Sequence, residues 1–350
     1  MGDLRHERHQ GVSRQDESPG AQGRRSRRKR LLRWASWLLG VVALGVVIGV
    51  AIGSSERKEF MRLVERAEPW WLAVATGLQL ITYFAEGEVW LAVARTGGAR
   101  VPRTVTYKLA VAKLFIDQAI PSAGISGTLV FAKALQRRGL GAEVVASAII
   151  VGTVTYHVAY VVCLAAAVAI LAFAGYASRV VLEVSAIFVG FAAAVVAGAL
   201  VLSRRERPKV PARIQRIPLV GEAVRLLHSA RPELVRSIPL ELEVGVYQVA
   251  GFVLDAATVW SLLRSLGAEA PPLGVFASFM ISNLFRTVGI VPGGLGTFEA
   301  VSIVTLKILG ISVPGALSAT LLFRGMSFWI PLVPGVFISR QVVEEHAETS

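Results

Sequence analysis

The sequence predicts an all-α polytopic membrane protein with an inverted-topology repeat that contains two broken or re-entrant helical hairpins. Hydrophobic residues make up 54% of the 350 positions and charged residues 17%. The apolar residues fall in blocks of about 20 or more, the length that spans a bilayer. Breaks rich in proline and glycine begin at Pro121 and Pro292, and Gly139 and Gly310 each follow their proline by 18 residues. This equal spacing indicates an internal repeat.

The two breaks also indicate a function. Backbone that leaves a helix at bilayer depth must bond to other protein groups or to water in a cavity, because hydrocarbon offers no hydrogen-bond partner. Breaks at matching points of two halves are typical of a transporter's binding site. We therefore expect a substrate site in a polar cavity between the two broken hairpins.

The chain opens with a basic tail, residues 1–33, which holds ten Lys/Arg against four acids. Its stretch 24–30, RRSRRKR, adjoins the first predicted span, 34–53. Positive charge beside a span marks the cytoplasmic side and contacts anionic lipid. The tail therefore favours a membrane role over nucleic-acid binding, although the net charge is +13. The length of the apolar block 34–53 argues against a cleaved signal peptide.

The transmembrane region is predicted over 34–338 and is followed by a cytoplasmic tail, 339–350. Beyond the first span, the predicted crossings are 70–94, 144–173, 180–202, 244–263 and 315–338. The loop 204–241 is rich in Lys and Arg and is expected in the cytoplasm. The loop 265–272 contains no Lys and no Arg and is expected outside. This pattern places both termini in the cytoplasm.

The two broken segments lie between these crossings. Segment 107–139 begins and ends on the cytoplasmic side, whereas 273–310 begins and ends outside, so each contains an even number of crossings or a re-entrant hairpin. The repeats, about 70–203 and 244–338, are therefore expected in opposite orientations. High use of Arg and Ala with few Lys is typical of a GC-rich bacterial genome, which makes the inner (cytoplasmic) membrane the expected location.

Polar side chains inside the predicted spans provide a candidate substrate site, because such groups usually face protein, water or a ligand. They are Glu86, Asp117, Asp255, Asn283, Arg286, Glu299 and Arg324. Glu86 and Asp255 lie 35 and 37 residues before the break prolines, so a repeat brings one acid from each half toward the same region. Asp117 has an alternative role, since Lys113 precedes it by one helical turn and the two charges neutralise each other at that spacing.

The second break contributes backbone as well as charge. Its candidate binding residues are Pro292, Gly293, Gly294, Gly296 and Thr297. Glycine permits positive φ and close backbone approach, and a helix that starts near Thr297 presents free N–H groups, which favour an anion such as phosphate. The alternative is a tight turn that only packs helices. Glu299 is expected to pair with Arg286 across the break or to bind substrate, and Arg324 to hold Glu299 or a lipid phosphate.

The stretch 290–300, IVPGGLGTFEA, resembles the second signature of the lysylphosphatidylglycerol synthase transmembrane-region family, a flippase-type domain. The stretch 121–139, PSAGISGTLVFAKALQRRG, resembles its first signature, and the resemblance covers roughly 34–338. It implies an integral membrane protein that handles lipids and, in some members, flips an aminoacylated phospholipid. Many members carry Gly-Glu where this chain has Gly127-Thr128. The chain lacks the soluble aminoacyl-transferase domain of the bifunctional members, so we expect translocation rather than synthesis.

The sequence thus predicts a flippase for a phospholipid or lipid-linked substrate. In this hypothesis Arg286, Arg324 and the backbone of 293–297 hold phosphate, while Glu86, Asp255 and Glu299 hold cationic or hydroxyl groups, or protons. The expected partners are membrane lipids, either an anionic or aminoacylated phospholipid or a lipid-linked saccharide, and the tails stay in the bilayer.

Enzyme signatures are missing from the sequence, so a transporter is favoured over an enzyme and no cofactor or metal is expected. The chain contains no G-x-x-x-x-G-K-[ST], H-E-x-x-H or G-x-S-x-G motif, and one cysteine, Cys163. Two alternatives stay open. One is a membrane-embedded enzyme that modifies a lipid headgroup through acid–base chemistry. The other is a non-transporting scaffold whose protein partner is a glycosyltransferase or lipid synthase.

Overall fold

A computed structural model describes residues 65, 67–119, 125–203, 226–288 and 294–329 of the chain. The predicted tails 1–33 and 339–350 and the predicted first span 34–53 lie outside the described residues. The described part is α-helical and contains no strand, which confirms the predicted all-α class. The assignment of domains along the chain stays a prediction.

The helices of the described residues follow the predicted spans closely. In chain order they are α1 (Pro69–Thr96), α2 (Arg103–Ala119), α3 (Ile125–Arg137), α4 (Ala142–Phe173), α5 (Arg179–Leu202), α6 (Pro232–Val235), α7 (Ile238–Ser265), α8 (Pro272–Val288), α9 (Thr297–Ile308) and α10 (Val313–Arg324). A π-helix, Gly325–Trp329, continues α10. The described helices end before each predicted break and begin again after it, whereas residues 120–124 and 289–293 of the breaks lie outside the described part.

Three of the described helices are long and apolar enough to cross a membrane: Ala142–Phe173, Arg179–Val201 and Ile238–Ser265. On α5, large apolar side chains such as Ile187 and Phe191 are exposed, as expected for a helix that faces lipid. Helix α1 has the length of a span, 28 residues, but it carries Gln79 and Glu86. Its predicted crossing therefore depends on polar groups that face other helices.

Helices α1 and α7 form the most extensive helix pair in the described structure and run antiparallel. The N–H of Glu68, at the start of α1, donates to the carbonyl of Ser265, at the end of α7, over 2.8 Å. At the opposite end, Arg95 of α1 pairs with Glu243 near the start of α7. The two helices are therefore aligned along their whole length.

The same series of elements occurs twice. Helices α1 and α7 have 28 residues each, and α2 and α8 have 17 each. The helices after the breaks, α3 and α9, have 13 and 12 residues and end at glycines with nearly equal positive φ, 89° at Gly139 and 87° at Gly310. Glycine adopts this conformation without a Cβ penalty, which explains the equal spacing in the sequence. The antiparallel α1 and α7 agree with opposite orientations of the halves, and the inverted topology in the bilayer stays a prediction.

Two apolar clusters form the core, and α4 runs through both. One cluster joins α1, α2 and α3 to the first half of α4, through residues such as Phe131 and Val151. The other joins the second half of α4 to α7–α10, through residues such as Leu164 and Phe298. Tyr156 lies on α4 between the two clusters. Of the polar residues predicted for the site, Glu86, Asp255 and Arg286 interact electrostatically with Tyr156.

The membrane orientation is open to a direct test with single cysteines in a Cys163→Ser background. Ser229 is exposed in the predicted cytoplasmic loop, and Glu269 is exposed in the predicted outer loop. Ser265, at the edge of that loop, is only 1% exposed and is unsuitable as a label site. An impermeant thiol reagent added to intact cells is expected to label Glu269→Cys and not Ser229→Cys. Equal labelling from outside contradicts the predicted topology.

Candidate functional site

The second break is closed by a turn that only glycine permits. Gly294 and Gly296 have φ of 62° and 84°, in the left-handed region that favours glycine. A Cβ at Gly294 would collide with the Cγ of Arg286 on α8, so the backbone of the turn packs directly on that side chain. The hydroxyl of Thr297 donates to the Gly294 carbonyl over 3.0 Å. Pro292 and Gly293 lie outside the described residues.

Glu299 is the anion at the N-terminus of α9. Its Oε2 accepts a 2.7 Å hydrogen bond from the Gly296 N–H, and its Oε1 accepts one of 2.8 Å from Nε of Arg324. The Glu299 side chain is 1% exposed and that of Arg324 is 4% exposed. The Arg324 guanidinium also lies 5.5 Å and 4.5 Å from the ring centroids of Phe298 and Phe328. Of the pairings anticipated from the sequence, the structure contains Arg324–Glu299 and not Arg286–Glu299.

This arrangement changes what the helix N-terminus offers to a ligand. The sequence assigned the N–H groups near Thr297 to a substrate phosphate, but a carboxylate of the chain itself already binds there. Both oxygens of Glu299 have partners, and neither faces open space. The roles of Glu299 and Arg324 in substrate binding stay predictions.

Arg286 is a cation of the site for which the described residues offer no ion pair or hydrogen bond. Its side chain is half-buried and makes no ion pair or hydrogen bond with any of the described residues. It interacts electrostatically with Asp255 on α7, with Tyr156 on α4 and, repulsively, with Arg324. A charge inside a membrane protein usually faces a partner, water or a substrate. None of the five donors of this guanidinium is bonded to a residue in the part of the chain that the structure describes.

Asp255 and Glu86 approach the same region from α7 and α1. Asp255 Oδ1 accepts a 3.2 Å hydrogen bond from the amide of Gln79 on α1. Glu86 Oε1 forms a 3.0 Å ion pair with the Lys113 ammonium on α2, and both side chains are partly exposed. Each half thus contributes one acid with a partner of its own, and the shared role of the two acids in a substrate site stays a prediction. Gln79, which is 3% exposed, had no part in the sequence-based site, because a single amide inside a span has no distinctive sequence pattern.

Tyr156 shows how these charges come together. It interacts electrostatically with Arg286, Lys113, Glu86 and Asp255, which belong to four different helices. These four charged residues are far apart in the sequence, so the sequence did not indicate that they all interact with one tyrosine on α4. The resulting cluster, which we call the polar junction, consists of Glu86, Lys113, Tyr156, Asp255 and Arg286.

Two other predicted residues lie at the edge of this cluster. Asn283 is buried on α8, one turn before Arg286, and is next to Tyr160 of α4. Asp117 lies on α2, one turn after Lys113, and its side chain is outside the described part. Its alternative pairing with Lys113 stays a prediction.

An apolar groove of about 350 Å³ shares helix α8 with the polar junction. It is bounded by the end of α4, the start of α5 and the facing sides of α8 and α9, with Leu171, Val181, Ile281, Phe285 and Val304 among its lining residues. Phe285 is the immediate neighbour of Arg286 along α8. The hydroxyls of Ser278 and Thr305 bond to each other over 2.6 Å, so they satisfy each other in this apolar surrounding.

The described residues contain no group of three or more His, Cys, Asp or Glu that could share a metal ion. The polar junction combines one guanidinium, two carboxylates, one ammonium and one phenol, from Arg286, Glu86, Asp255, Lys113 and Tyr156. Helix α8, which carries the guanidinium, also lines the apolar groove. Such a site suits a ligand that carries a phosphate, a cationic or hydroxyl group and a hydrocarbon chain.

Comparison with known proteins gives the same membrane class. The profile of a family described as "Lysylphosphatidylglycerol synthase TM region" matches residues 23–335. A UPF0104 membrane protein of Methanothermobacter thermautotrophicus is 25% identical over 113 residues, which are 32% of this chain and 31% of the relative. A UPF0104 membrane protein of Pyrococcus horikoshii is 32% identical over 81 residues, 23% of this chain and 24% of the relative. The chain thus matches a third or less of each curated relative, and the family match supports a membrane, lipid-related role.

Proposed function

We propose that this chain, which belongs to the lysylphosphatidylglycerol synthase transmembrane-region family, flips a phospholipid or lipid-linked substrate across the membrane. The observation that carries the proposal is Arg286, a half-buried guanidinium without an ion-pair partner among the described residues, on a helix that also lines an apolar groove. A cation costs about 2.5–3.5 kcal/mol at the centre of a membrane-spanning helix on insertion scales, and Arg286 lies in the last turn of α8. Binding of a phosphate offsets that cost, and the groove offers a place for the attached tail.

In the proposed complex, each part of the polar junction contacts one part of the headgroup. Arg286 binds the phosphate, because a planar guanidinium matches two phosphate oxygens at once. Asp255 and Glu86 accept hydrogen bonds from amino or hydroxyl groups, and Tyr156 donates to an oxygen of the headgroup. An aminoacylated phospholipid presents all of these groups, and so does a lipid-linked saccharide with its phosphate and hydroxyls.

Glu299 and Arg324 act on Arg286 indirectly in this proposal. Their buried pair fixes the turn at Gly294 and Gly296, and that turn packs on the Arg286 side chain. We therefore assign Glu299 and Arg324 to positioning, and the headgroup contacts to Arg286, Asp255 and Glu86.

The hydrocarbon part of the substrate lies in the apolar groove along α8 and α9. The side chains that line the groove, such as Ile281, Phe285 and Val304, lack van der Waals partners when the groove is empty. At this depth the surrounding medium is hydrocarbon, so an acyl chain fills the groove. Phe285 in the groove and Arg286 at the polar junction belong to the same helix, α8, and in this proposal one lipid molecule reaches both with its tail and its headgroup. This continuity favours a lipid over a small soluble anion.

Purified full-length protein in liposomes tests the proposal. Labelled phospholipids with an anionic, an aminoacylated or a saccharide headgroup are placed in one leaflet, and their appearance in the other is followed with an impermeant quencher. We expect the protein to accelerate transfer of at least one of them over protein-free liposomes. Conversion of the headgroup without transfer supports the enzyme alternative, and neither activity together with a co-purified synthase supports the scaffold alternative.

A further inference from the structure

Two glutamines stand at the same position of the two halves and contact the acids differently. Glu86 follows the first residue of α1 by 17 positions, and Asp255 follows the first residue of α7 by 17. By the same count, Gln79 and Gln248 each lie ten positions after the start of their helix. In an antiparallel pair of related helices, each glutamine therefore faces the acid of the other half.

The described conformation contains only one of these two contacts. Gln79 donates to Asp255 over 3.2 Å. Gln248 makes no hydrogen bond to Glu86 in the described structure, and Glu86 is instead paired with Lys113 of its own half. The burial differs as well, since Gln79 is 3% exposed and Gln248 is half-buried. Related residues thus occupy two different states in one molecule.

The two ends of the α1–α7 pair show the same asymmetry. One end is closed by the backbone bond from Glu68 to Ser265 and by an edge contact between Trp71 and Trp260, whose centroids are 5.5 Å apart. Arg264 lies over both of these rings. The other end is held by the pair Arg95–Glu243, whose side chains are 61% and 34% exposed. An exposed ion pair contributes little to stability, so this second end depends on apolar packing between residues such as Val93 and Val244.

We propose that Gln79 and Gln248 are alternating positioning residues for the transport cycle. In the described conformation Gln79 holds Asp255 and the Ser265 end is closed. In the opposite conformation Gln248 holds Glu86, Lys113 releases that acid, Gln79 releases Asp255 and the Ser265 end opens. This inference rests on the proposed function, because it supplies the second state that flipping requires.

The released Asp255 then contacts the headgroup. Lys113 follows the first residue of α2 by ten positions, and the residue ten positions after the start of α8 is Ser282. The related position thus carries no lysine, and the cation that acts on the Asp255 carboxylate is Arg286. Once Gln79 releases it, that carboxylate accepts a hydrogen bond from a cationic or hydroxyl group of the substrate, while Arg286 binds the phosphate.

The test uses labelling of the buried closed end in full-length protein in lipid nanodiscs. Ser265→Cys in a Cys163→Ser background is accessible to a thiol reagent only when that end opens, since Ser265 is 1% exposed. Gln79→Ala removes the contact of the closed state and is expected to speed labelling. Gln248→Ala removes the contact of the open state and is expected to slow it. Each change is about fivefold, the effect of one net hydrogen bond on an equilibrium.

The opposite signs are the decisive result. If both glutamines have only a structural role, truncation of either one loosens the protein, and both substitutions then speed the labelling of Ser265→Cys. The proposal is overturned by changes in the same direction, or by no change in either variant. Gln136→Ala, at the end of α3 and outside the pair, serves as the matched control. Should Gln79→Ala fail to fold, Gln248→Ala alone decides, because slower labelling is the reverse of what destabilisation produces.

This readout is separate from the test of flipping. Labelling of Ser265→Cys reports the conformational equilibrium whether or not any lipid is transferred in liposomes. If the two glutamine variants change the labelling rate in opposite directions and no lipid is transferred, the alternating role of the glutamines stands and the proposed function is overturned. Lipid transfer with unchanged labelling retains the proposed function and overturns the alternating glutamines.

Discussion

Replacement of Arg286 by glutamine is expected to lower the rate of lipid flipping about ten- to a hundredfold, because a hydrogen bond to a charged group contributes about 1.5–3 kcal/mol. Glutamine keeps the Cβ and Cγ atoms against which Gly294 packs, so the turn at the second break is expected to stay intact. The measurement is the initial rate of transfer of labelled lipid in liposomes, with the thermal unfolding temperature recorded for the same preparation.

Lys307→Gln is the matched control for this substitution. Lys307 is an exposed base near the end of α9, away from the polar junction, and its replacement removes the same unit of charge. We expect it to leave transfer near the wild-type rate. Arg286→Lys restores the charge without the planar fork and is expected to give an intermediate rate. Wild-type transfer by a stable Arg286→Gln protein would rule out the guanidinium as the phosphate ligand.

The helices and the repeat were predictable because their signals are local. Long apolar blocks predict spans, and the glycines at 139 and 310 mark helix ends whose positive φ requires them. The same local reasoning located Arg286, since an arginine inside an apolar segment is costly wherever the segment packs. These features depend on the chain within a few turns of each residue.

The partners of each charge were not predictable in the same way. The sequence offered Asp117 as a partner of Lys113 because they share a helical face, and it gave no sign of the ion pair that the Lys113 ammonium forms with Glu86 of α1. Gln79 and Tyr156 had no role until α1, α4 and α7 were placed together, because their neighbours are distant in the chain. Selection of one partner among several of opposite charge is a tertiary property.

Glu299 shows the same limit. The sequence predicts that it pairs with Arg286 or binds substrate, and the signature 290–300 contains it. In the structure it caps the helix that follows the break and neutralises Arg324. A carboxylate three residues into a helix is close enough to bond back to the residue before the helix, and that local geometry explains its position.

Replacement of Glu299 by glutamine is therefore expected to destabilise the protein by about 3–5 kcal/mol, because it leaves the buried Arg324 without its counter-charge. The double variant Glu299→Gln, Arg324→Gln removes both charges and is expected to regain most of that loss. The measurement is thermal unfolding in one lipid environment, with flipping normalised to the folded protein. Glu269→Gln, which breaks only the exposed pair with Arg264, is the control and is expected to cost at most about 1 kcal/mol.

The outcome separates the two roles that the sequence left open for Glu299. A positioning role predicts that stability and flipping fall together in the single variant and recover together in the double variant, since Arg286 regains its support from the turn. A substrate role predicts that Glu299→Gln keeps the wild-type unfolding temperature and loses flipping, and that the double variant is not rescued. Because both carboxylate oxygens already have protein partners at 2.7 and 2.8 Å, we expect the first result.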